Sequence, residues 1–268
     1  MSCPDCFKGA VLDGEPTGVI SAIDGAYFAS GPAGTSKRAV ILLTDIFGLP
    51  LKNSKILADN FAQHLQCDVW VPDFFAGRPP VSVSQMAPLP EKAGLKMSFV
   101  GTVKLVSNLL PSIPALYRNR SAVVDSRTVS FVKKLQTEKK YEKIGAIGYC
   151  FGGGIATRVG ATTDLFDSIV LAHPSPPTDA DIKAIKAPTA WTCAEDDMAI
   201  KPARLEEIKA LYADRKGKDT FVESEFRVYP GTAHGFAARP NFAYPEVKEG
   251  FEKAFTQAVE WFNKTIPA

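Results

Sequence analysis

The chain has 268 residues, 46% of them hydrophobic and 22% charged, an ordinary globular composition that excludes collagen, coiled coil and disorder as whole-chain readings. At roughly 150 residues per domain this is one large domain or two small ones. Lys and Arg number 31 against 29 Asp and Glu, so the formal charge of +2 points to neither a nucleic-acid nor a membrane partner. In chain order, Val19-Ile20 and Ala26 to Ala29 read as a hairpin around Asp24-Gly25, a strong short turn signal. Ala39 to Thr44 is a continuous apolar run ending at Asp45, the pattern of a strand covered on both faces. Residues 53–66 have helical spacing, with Ile56, Leu57, Phe61 and Leu65 on one face, and the strand 67–71 follows.

Residues 74–118 interrupt the alternation with prolines at 79, 80, 88, 90, 111 and 114. A connection this long is uncommon unless functional. It reads as a surface excursion with a helix near 92–109, too short and too poor in apolar residues to fold alone. No apolar run in the chain approaches the ~18 residues of a membrane-spanning helix. Further strands are expected at 143–148, 168–172, 189–193 and 225–229, with helices near 121–138, 150–161, 179–186 and 202–213. A last amphipathic helix, 245–264, carries Val247, Phe251, Phe255, Val259 and Phe262. The whole reads as one α/β domain over 1–268, with a mostly parallel twisted sheet, helices on both faces and an N-terminal arm at 1–16.

Gly148-Tyr149-Cys150-Phe151-Gly152-Gly153 follows a strand and opens a helix. This is the G-x-nucleophile-x-G elbow with cysteine as the nucleophile. A side chain projected from so sharp a turn sits on strained backbone, and the flanking glycines remove Cβ atoms that would clash. A glycine-rich turn around an inert cysteine is the plainer reading; neither dinucleotide nor Walker spacing fits the run.

The chain has three histidines, so any imidazole base is His64, His173 or His234. His64 lies late in a helix. His173 follows a strand at the edge where α/β sites form. His234 sits in a glycine-flanked loop between the last strand and the last helix, where the base of this fold belongs. Ala194-Glu195-Asp196-Asp197 supplies the acid in the order nucleophile, acid, base, with Asp197 or Asp196 as the candidate.

At this point the sequence resembles the dienelactone hydrolase family, in its fungal cytosolic branch, over nearly the whole chain. The resemblance rests on Cys3-Pro4-Asp5-Cys6, Asp45-Ile46-Phe47-Gly48-Leu49, the cysteine elbow, Ala194 to Asp197, and His234-Gly235-Phe236-Ala237-Ala238-Arg239. It implies an α/β-hydrolase fold and a cofactor-free, metal-free Cys-His-Asp hydrolase of enol lactones or activated esters. Residue by residue it implies Cys150 as nucleophile, Asp197 as acid, with Asp196 as fallback, and His234 as base. The backbone N–H groups of Ile46 and Phe151 would form the oxyanion hole. Asp45, Phe47, Tyr149, His173, Phe236 and Arg239 are the substrate-binding candidates, with Phe47, Phe74, Phe75 and Phe236 expected to form an apolar rim around Arg239 as its fixed charge.

Two departures stand out. The family commonly carries glutamate where this chain has Asp45, a residue proposed there to take the thiol proton. Bacterial members hold the substrate carboxylate with two arginines; Arg239 matches one, displaced by an extra alanine, and Arg78, Lys92 and Lys96 are candidates for the other. Alternatives on the same triad are a thioesterase or a broad carboxylesterase; an alternative of another class is a non-catalytic binding protein that keeps the fold.

Cys3-x-x-Cys6 lacks the context of a redox pair or a zinc site, and reads as part of an arm. Five cysteines spread over the chain, with no secretory pattern in the opening residues, point to free thiols and a cytoplasmic protein. The expected partner is a small lactone or ester, with no nucleic acid and no membrane, and the protein is expected as a monomer or homodimer.

Overall fold

The computed structural model describes residues 11–32, 37–87 and 89–268. Its strands are β1 (Val19–Ile20), β2 (Tyr27–Ala29), β3 (Arg38–Leu43), β4 (Asp68–Val71), β5 (Lys143–Tyr149), β6 (Ser168–Ala172), β7 (Thr189–Asp196) and β8 (Ser224–Ala233). They form one sheet in the order β1-β2-β4-β3-β5-β6-β7-β8. The β1–β2 and β2–β4 pairs are antiparallel and every other pair is parallel. With its mostly parallel sheet and helices on both faces, the chain has an α/β-hydrolase fold.

The helices are α1 (Asn53–Leu65), α2 (Phe99–Leu109), α3 (Ile113–Arg118), α4 (Ser121–Lys139), α5 (Phe151–Thr162), α6 (Asp179–Ala184), α7 (Pro202–Ala213) and α8 (Pro245–Thr265). Successive side chains of a strand point to opposite faces. In β3, Ala39, Ile41 and Leu43 join the core under α4–α7, while Val40 and Leu42 join the core under α1 and α8. This double coverage is why β3 reads as an unbroken apolar run.

The expected elements recur with instructive shifts. The hairpin loop spans six residues instead of two: Asp24 and Gly25 do adopt positive φ, at 51° and 67°, but Ser21 N–H closes on the carbonyl of Ala26. On α8 the buried face is Val247, Gly250, Ala254, Gln257, Ala258, Trp261 and Phe262, so the expected stripe is rotated. Small residues let the helix approach the sheet: a Cβ on Gly250 would stand 2.5 Å from Thr232 Cγ2. Phe251, Phe255 and Val259 flank the core, and Phe255 stacks on Phe61 at 4.5 Å. Gln257 is buried because Thr192 and Tyr229 hydroxyls donate to its Oε1, while its Nε2 donates to Glu225.

The excursion differs most from expectation. Its main helix begins at Phe99, because Gly94 turns the chain at φ +77° and Ser98 caps the helix by accepting from Gly101 N–H at 3.0 Å. It then continues beyond 109 through a 3-10 turn (Leu110–Ser112) into α3. Pro111 and Pro114 are tolerated because each enters a new first turn, where the missing N–H costs nothing. Residues 99–118 are also long and apolar enough, by length and composition, to cross a membrane, which corrects the expectation that no such run exists. Nor is the segment poor in apolar residues: Phe99, Val100, Val103, Val106, Leu110, Ile113 and Tyr117 are all exposed. Its inner side is anchored where Leu109 and Leu116 pack on Phe47, Leu51 and Val81. Cys3 and Cys6 lie outside the described residues; Cys67, Cys150 and Cys193 are free thiols. Burial pushes the Cys67 and Cys193 thiols up to about 12, which keeps them inert.

Arg38 at the start of β3 is buried, and its guanidinium donates to the carbonyls of Leu65 and Ile266 and to Asn263 Oδ1. It closes the C-terminal ends of α1 and α8 against the sheet. Arg38→Met, which strands those carbonyls, is expected to lower stability by about 3 kcal/mol, measured by urea unfolding at unchanged m-value.

Candidate active site

The C-terminal ends of β3, β5, β6, β7 and β8 converge on one edge of the sheet, where open α/β sheets place their sites. At the end of β5, Cys150 adopts φ 50° and ψ −109°, a conformation non-glycine residues rarely hold. The elbow fits because its neighbours lack side chains. A Cβ on Gly152 would lie 2.2 Å from the Leu43 carbonyl oxygen, and one on Gly148 would lie 2.4 Å from that of Gly152. The turn is clamped from β6: Cys150 N–H donates to the Ala172 carbonyl at 3.1 Å, and Ser175 N–H donates to the Cys150 carbonyl at 2.9 Å. Phe151 opens α5, so its N–H has no intrahelical acceptor.

Asp197 follows β7 just past a register shift between Ala194 and Asp196. It is buried, and its Oδ1 accepts from Ala199 N–H at 2.7 Å and from His234 Nδ1–H at 2.8 Å. Asp196 points elsewhere, toward Lys201 at 3.8 Å and Gly94 N–H at 3.4 Å. His234 follows β8 in a loop turned by Gly235 at φ +93°. Burial works to lower the His234 pKa, but the facing Cys150 and the hydrogen bond with Asp197 raise it to about 10. Burial likewise opposes ionisation of Asp197, and its hydrogen bond with His234 outweighs that and holds the carboxyl below its ordinary value. His64, by contrast, sits on α1 with its Nδ1 against the Asn60 carbonyl, away from this edge.

The neighbouring side chains are arranged differently from expectation. Asp45 is buried; its Oδ2 accepts from Arg239 Nε–H at 2.9 Å and its Oδ1 from Phe47 N–H at 3.1 Å. Burial pushes its carboxyl up, and Arg239 opposes that rise. Arg239 is therefore no free charge on a rim: its guanidinium lies 4.6 Å over the Phe47 ring and is paired with a carboxylate. Phe47, Phe74, Phe75 and Phe236 are all nearly or fully buried, so they do not form an exposed rim. Phe75 packs on Phe151 at 5.3 Å.

His173 is buried in a positive-φ conformation, 36°, and its ring meets that of His234 edge-on at 5.1 Å. Neither of its ring nitrogens has a hydrogen-bond partner among the described residues. Burial drives its pKa well down, so it stands as a neutral wall beside His234. Tyr149 is buried on its other side, 6.0 Å away, with burial raising its phenol.

A cleft of about 920 Å³ opens onto this edge. Of the expected site residues, His234, Phe236 and Arg239 line it, whereas Cys150, Ile46, Phe151, Asp45, Phe47, Tyr149 and His173 do not. Arg78 is exposed and Lys92 pairs with Glu246 at 3.2 Å. None of Arg78, Lys92 and Lys96 lines the cleft; Lys104 on α2 does. Sequence reasoning missed Lys104 because nothing in a helix sequence says which of its outward residues will overhang another element's pocket. It missed Asn241 and Glu91 as well; both line the cleft, and Asn241 Nδ2 donates to Glu91 Oε2 at 2.6 Å across 150 residues of sequence. Among the described residues no cluster of three or more His, Cys, Asp or Glu side chains is placed to hold a metal ion.

Residues 25–266 match the profile of the dienelactone hydrolase family. The chain belongs to that family. Hydrolase tropI of Talaromyces stipitatus is 30% identical over 266 residues, covering 98% of this chain and 96% of its own length. The carboxymethylenebutenolidase homolog of Mus musculus is 28% identical, covering 90% and 87%. Among solved structures, a dienelactone hydrolase-like promiscuous phosphotriesterase from metagenomic libraries superposes with a TM-score of 0.64 at 17% identity, covering 90% of this chain and 92% of that one, which speaks to fold alone. As a member of the dienelactone hydrolase family this chain is a hydrolase acting on carboxylic ester or lactone bonds.

The charge pairing at this edge makes two predictions. NMR titration of His234 is expected to give a midpoint near 10, and Cys150→Ala, which removes the facing thiol group, is expected to lower that midpoint by more than about one unit, or about 1.4 kcal/mol. The raised His234 pKa contributes stability that is fully present below its unfolded value of about 6.5 and lost as pH rises toward 10. The lowered Asp197 pKa contributes stability lost as pH falls below the ordinary carboxylate range. Thermal melts against pH are therefore expected to fall off on both sides, and Asp197→Asn is expected to flatten both limbs.

Proposed function

We propose that this member of the family opens a lactone or small activated ester through a Cys150–His234–Asp197 triad and a thioester intermediate. The observation that supports this reading is the arrangement at the strand ends: a cysteine on a strained elbow, faced by a histidine that is itself held by a buried aspartate. The proton that leaves Cys150 as it attacks passes to His234. Cys150 Sγ attacks the substrate carbonyl, and the N–H groups of Ile46 and Phe151 receive the developing oxyanion. The C–O bond then breaks as His234 gives its proton to the leaving oxygen. Water attacks the thioester, His234 takes its proton, and cleavage of the C–S bond releases the carboxylic acid and restores the pair. Asp197 fixes the imidazole with Nδ1–H outward to the carboxylate, leaving Nε2 for Cys150 and the substrate. An enol lactone suits this machinery because its enolate leaves with little acid assistance.

The size of the cleft favours a second reading on the same chemistry, a broader carboxylesterase or thioesterase, since about 920 Å³ exceeds what a small lactone fills. Arg239 bears on the choice. A substrate carboxylate reaching it must share the guanidinium with Asp45, so an anionic substrate would meet the two terminal nitrogens that the Nε bond leaves over.

Cys150→Ala is expected to lower kcat by about 10³-fold or more, and iodoacetamide is expected to abolish turnover. Full activity in that variant would refute the triad. In a panel of dienelactone, p-nitrophenyl acetate and an acyl thioester, Arg239→Lys is expected to lower kcat/KM about tenfold for the anionic lactone and little for the neutral ester, because lysine keeps the charge on Asp45 but loses the fork. Equal losses on both substrates would favour the broader esterase.

A further inference from the structure

We propose that the outer face of α2, the 3-10 turn and α3 docks this enzyme onto an anionic lipid surface, with the mouth of the active-site cleft beside the bilayer. The stretch 99–118 is continuous helical structure whose most apolar window has a mean hydropathy of 1.3 and is 11% buried. Phe99, Val103, Val106, Leu110, Ile113 and Tyr117 follow one another at intervals of four and three, so they share one helical face. That face points outward: Phe99 is 83% exposed and Tyr117 71%. A patch of this extent on a folded protein marks a contact with something.

Spanning a bilayer is ruled out by the inner face. Leu105 is buried, Leu109 and Leu116 pack on the core at Phe47, and Gln85 donates to the Asn108 carbonyl and Ser112 Oγ. The helix is pinned flat along the domain, the posture of a helix lying in an interface.

Charge selects the occupant. From Lys92 to Val124 the chain carries Lys92, Lys96, Lys104, Arg118 and Arg120 and no acid. Lys92 is paired inward with Glu246, while Lys96, Lys104, Arg118 and Arg120 are exposed around the apolar face. A second copy meeting this face about a two-fold axis would set cations against cations with no carboxylate of the segment to pair them. An anionic headgroup layer matches both features, apolar side chains entering the acyl boundary and cations lying among phosphates. The near-neutral charge of the whole chain hides this because its acids lie elsewhere. Lys104 belongs both to this helix and to the cleft that reaches His234, so a lipophilic ester dissolved in the leaflet would have a short path to the site. That last consequence rests on the triad reading; the docking does not.

The test is flotation of the full chain with vesicles of phosphatidylcholine alone and of phosphatidylcholine with a third phosphatidylserine, beside sedimentation analysis of the free protein. Binding to the phosphatidylserine vesicles, weakened by high salt, is the expected result. Two variants, Val106→Asp with Leu110→Asp, and Arg118→Glu with Arg120→Glu, are each expected to reduce bound protein about tenfold while keeping wild-type turnover of soluble p-nitrophenyl acetate. Cys150→Ala protein is expected to float like wild type, which separates failure of the chemistry from failure of the docking. No binding to either vesicle, or binding that both double variants leave intact, would overturn the proposal. A dimer in solution that Val106→Asp with Leu110→Asp dissociates would overturn it in favour of a self-association face.

Discussion

One backbone angle organises the catalytic end of this protein, the φ of +50° at Cys150. A non-glycine residue held there costs of order 1–3 kcal/mol and persists only where its surroundings over-determine it. Here they do. The elbow is wedged between the Leu43 carbonyl of β3 on one side and the Ala172–Ser175 segment on the other, with hydrogen bonds at both the N–H and the carbonyl of Cys150. The consequence reaches along the sheet edge. Because the strap that clamps the elbow continues directly into His173, that residue is forced into its own positive-φ turn and its ring is delivered against His234.

Electrostatics then divides the site into two balanced pairs. His234 lies between Cys150 and Asp197, and Arg239 lies against Asp45, which in turn feels His234. Both carboxylates are buried, and each is tolerated because a cation faces it at hydrogen-bonding distance. Asp45 is held in place by Arg239 Nε–H and by Phe47 N–H. A buried neutral histidine, His173, with no hydrogen-bond partner for either ring nitrogen among the described residues, lies against His234 and Tyr149.

The Pro-rich excursion serves this edge from outside. Its inner residues pack on Phe47, the ring under the Arg239 guanidinium, so the excursion and the charged pair share one small apolar cluster. Its outer residues leave a large apolar face in solvent beside the cleft. One helical stretch thus has an inner face packed on the core and an apolar outer face left exposed.

The residues themselves carried the fold class and the position of the Cys150 turn, because buried parallel strands must be apolar throughout and so sharp a turn must be flanked by glycine. The expected bounds of α1, α4, α5 and α7 likewise fall within a residue or so of the observed ones. The residues alone left Asp197 and Asp196 both open and the family resemblance chose Asp197; the structure adds that Asp197, just past the register shift at the end of β7, is the one that meets His234. In the same way, pairing Arg239 with Asp45 across 194 residues, rotating the buried stripe of α8 onto its small side chains, and bringing Lys104 over the cleft all depended on packing between distant segments. Local sequence records which side chains prefer water and which turns the backbone tolerates; which charge meets which across the fold is set by how the layers dock.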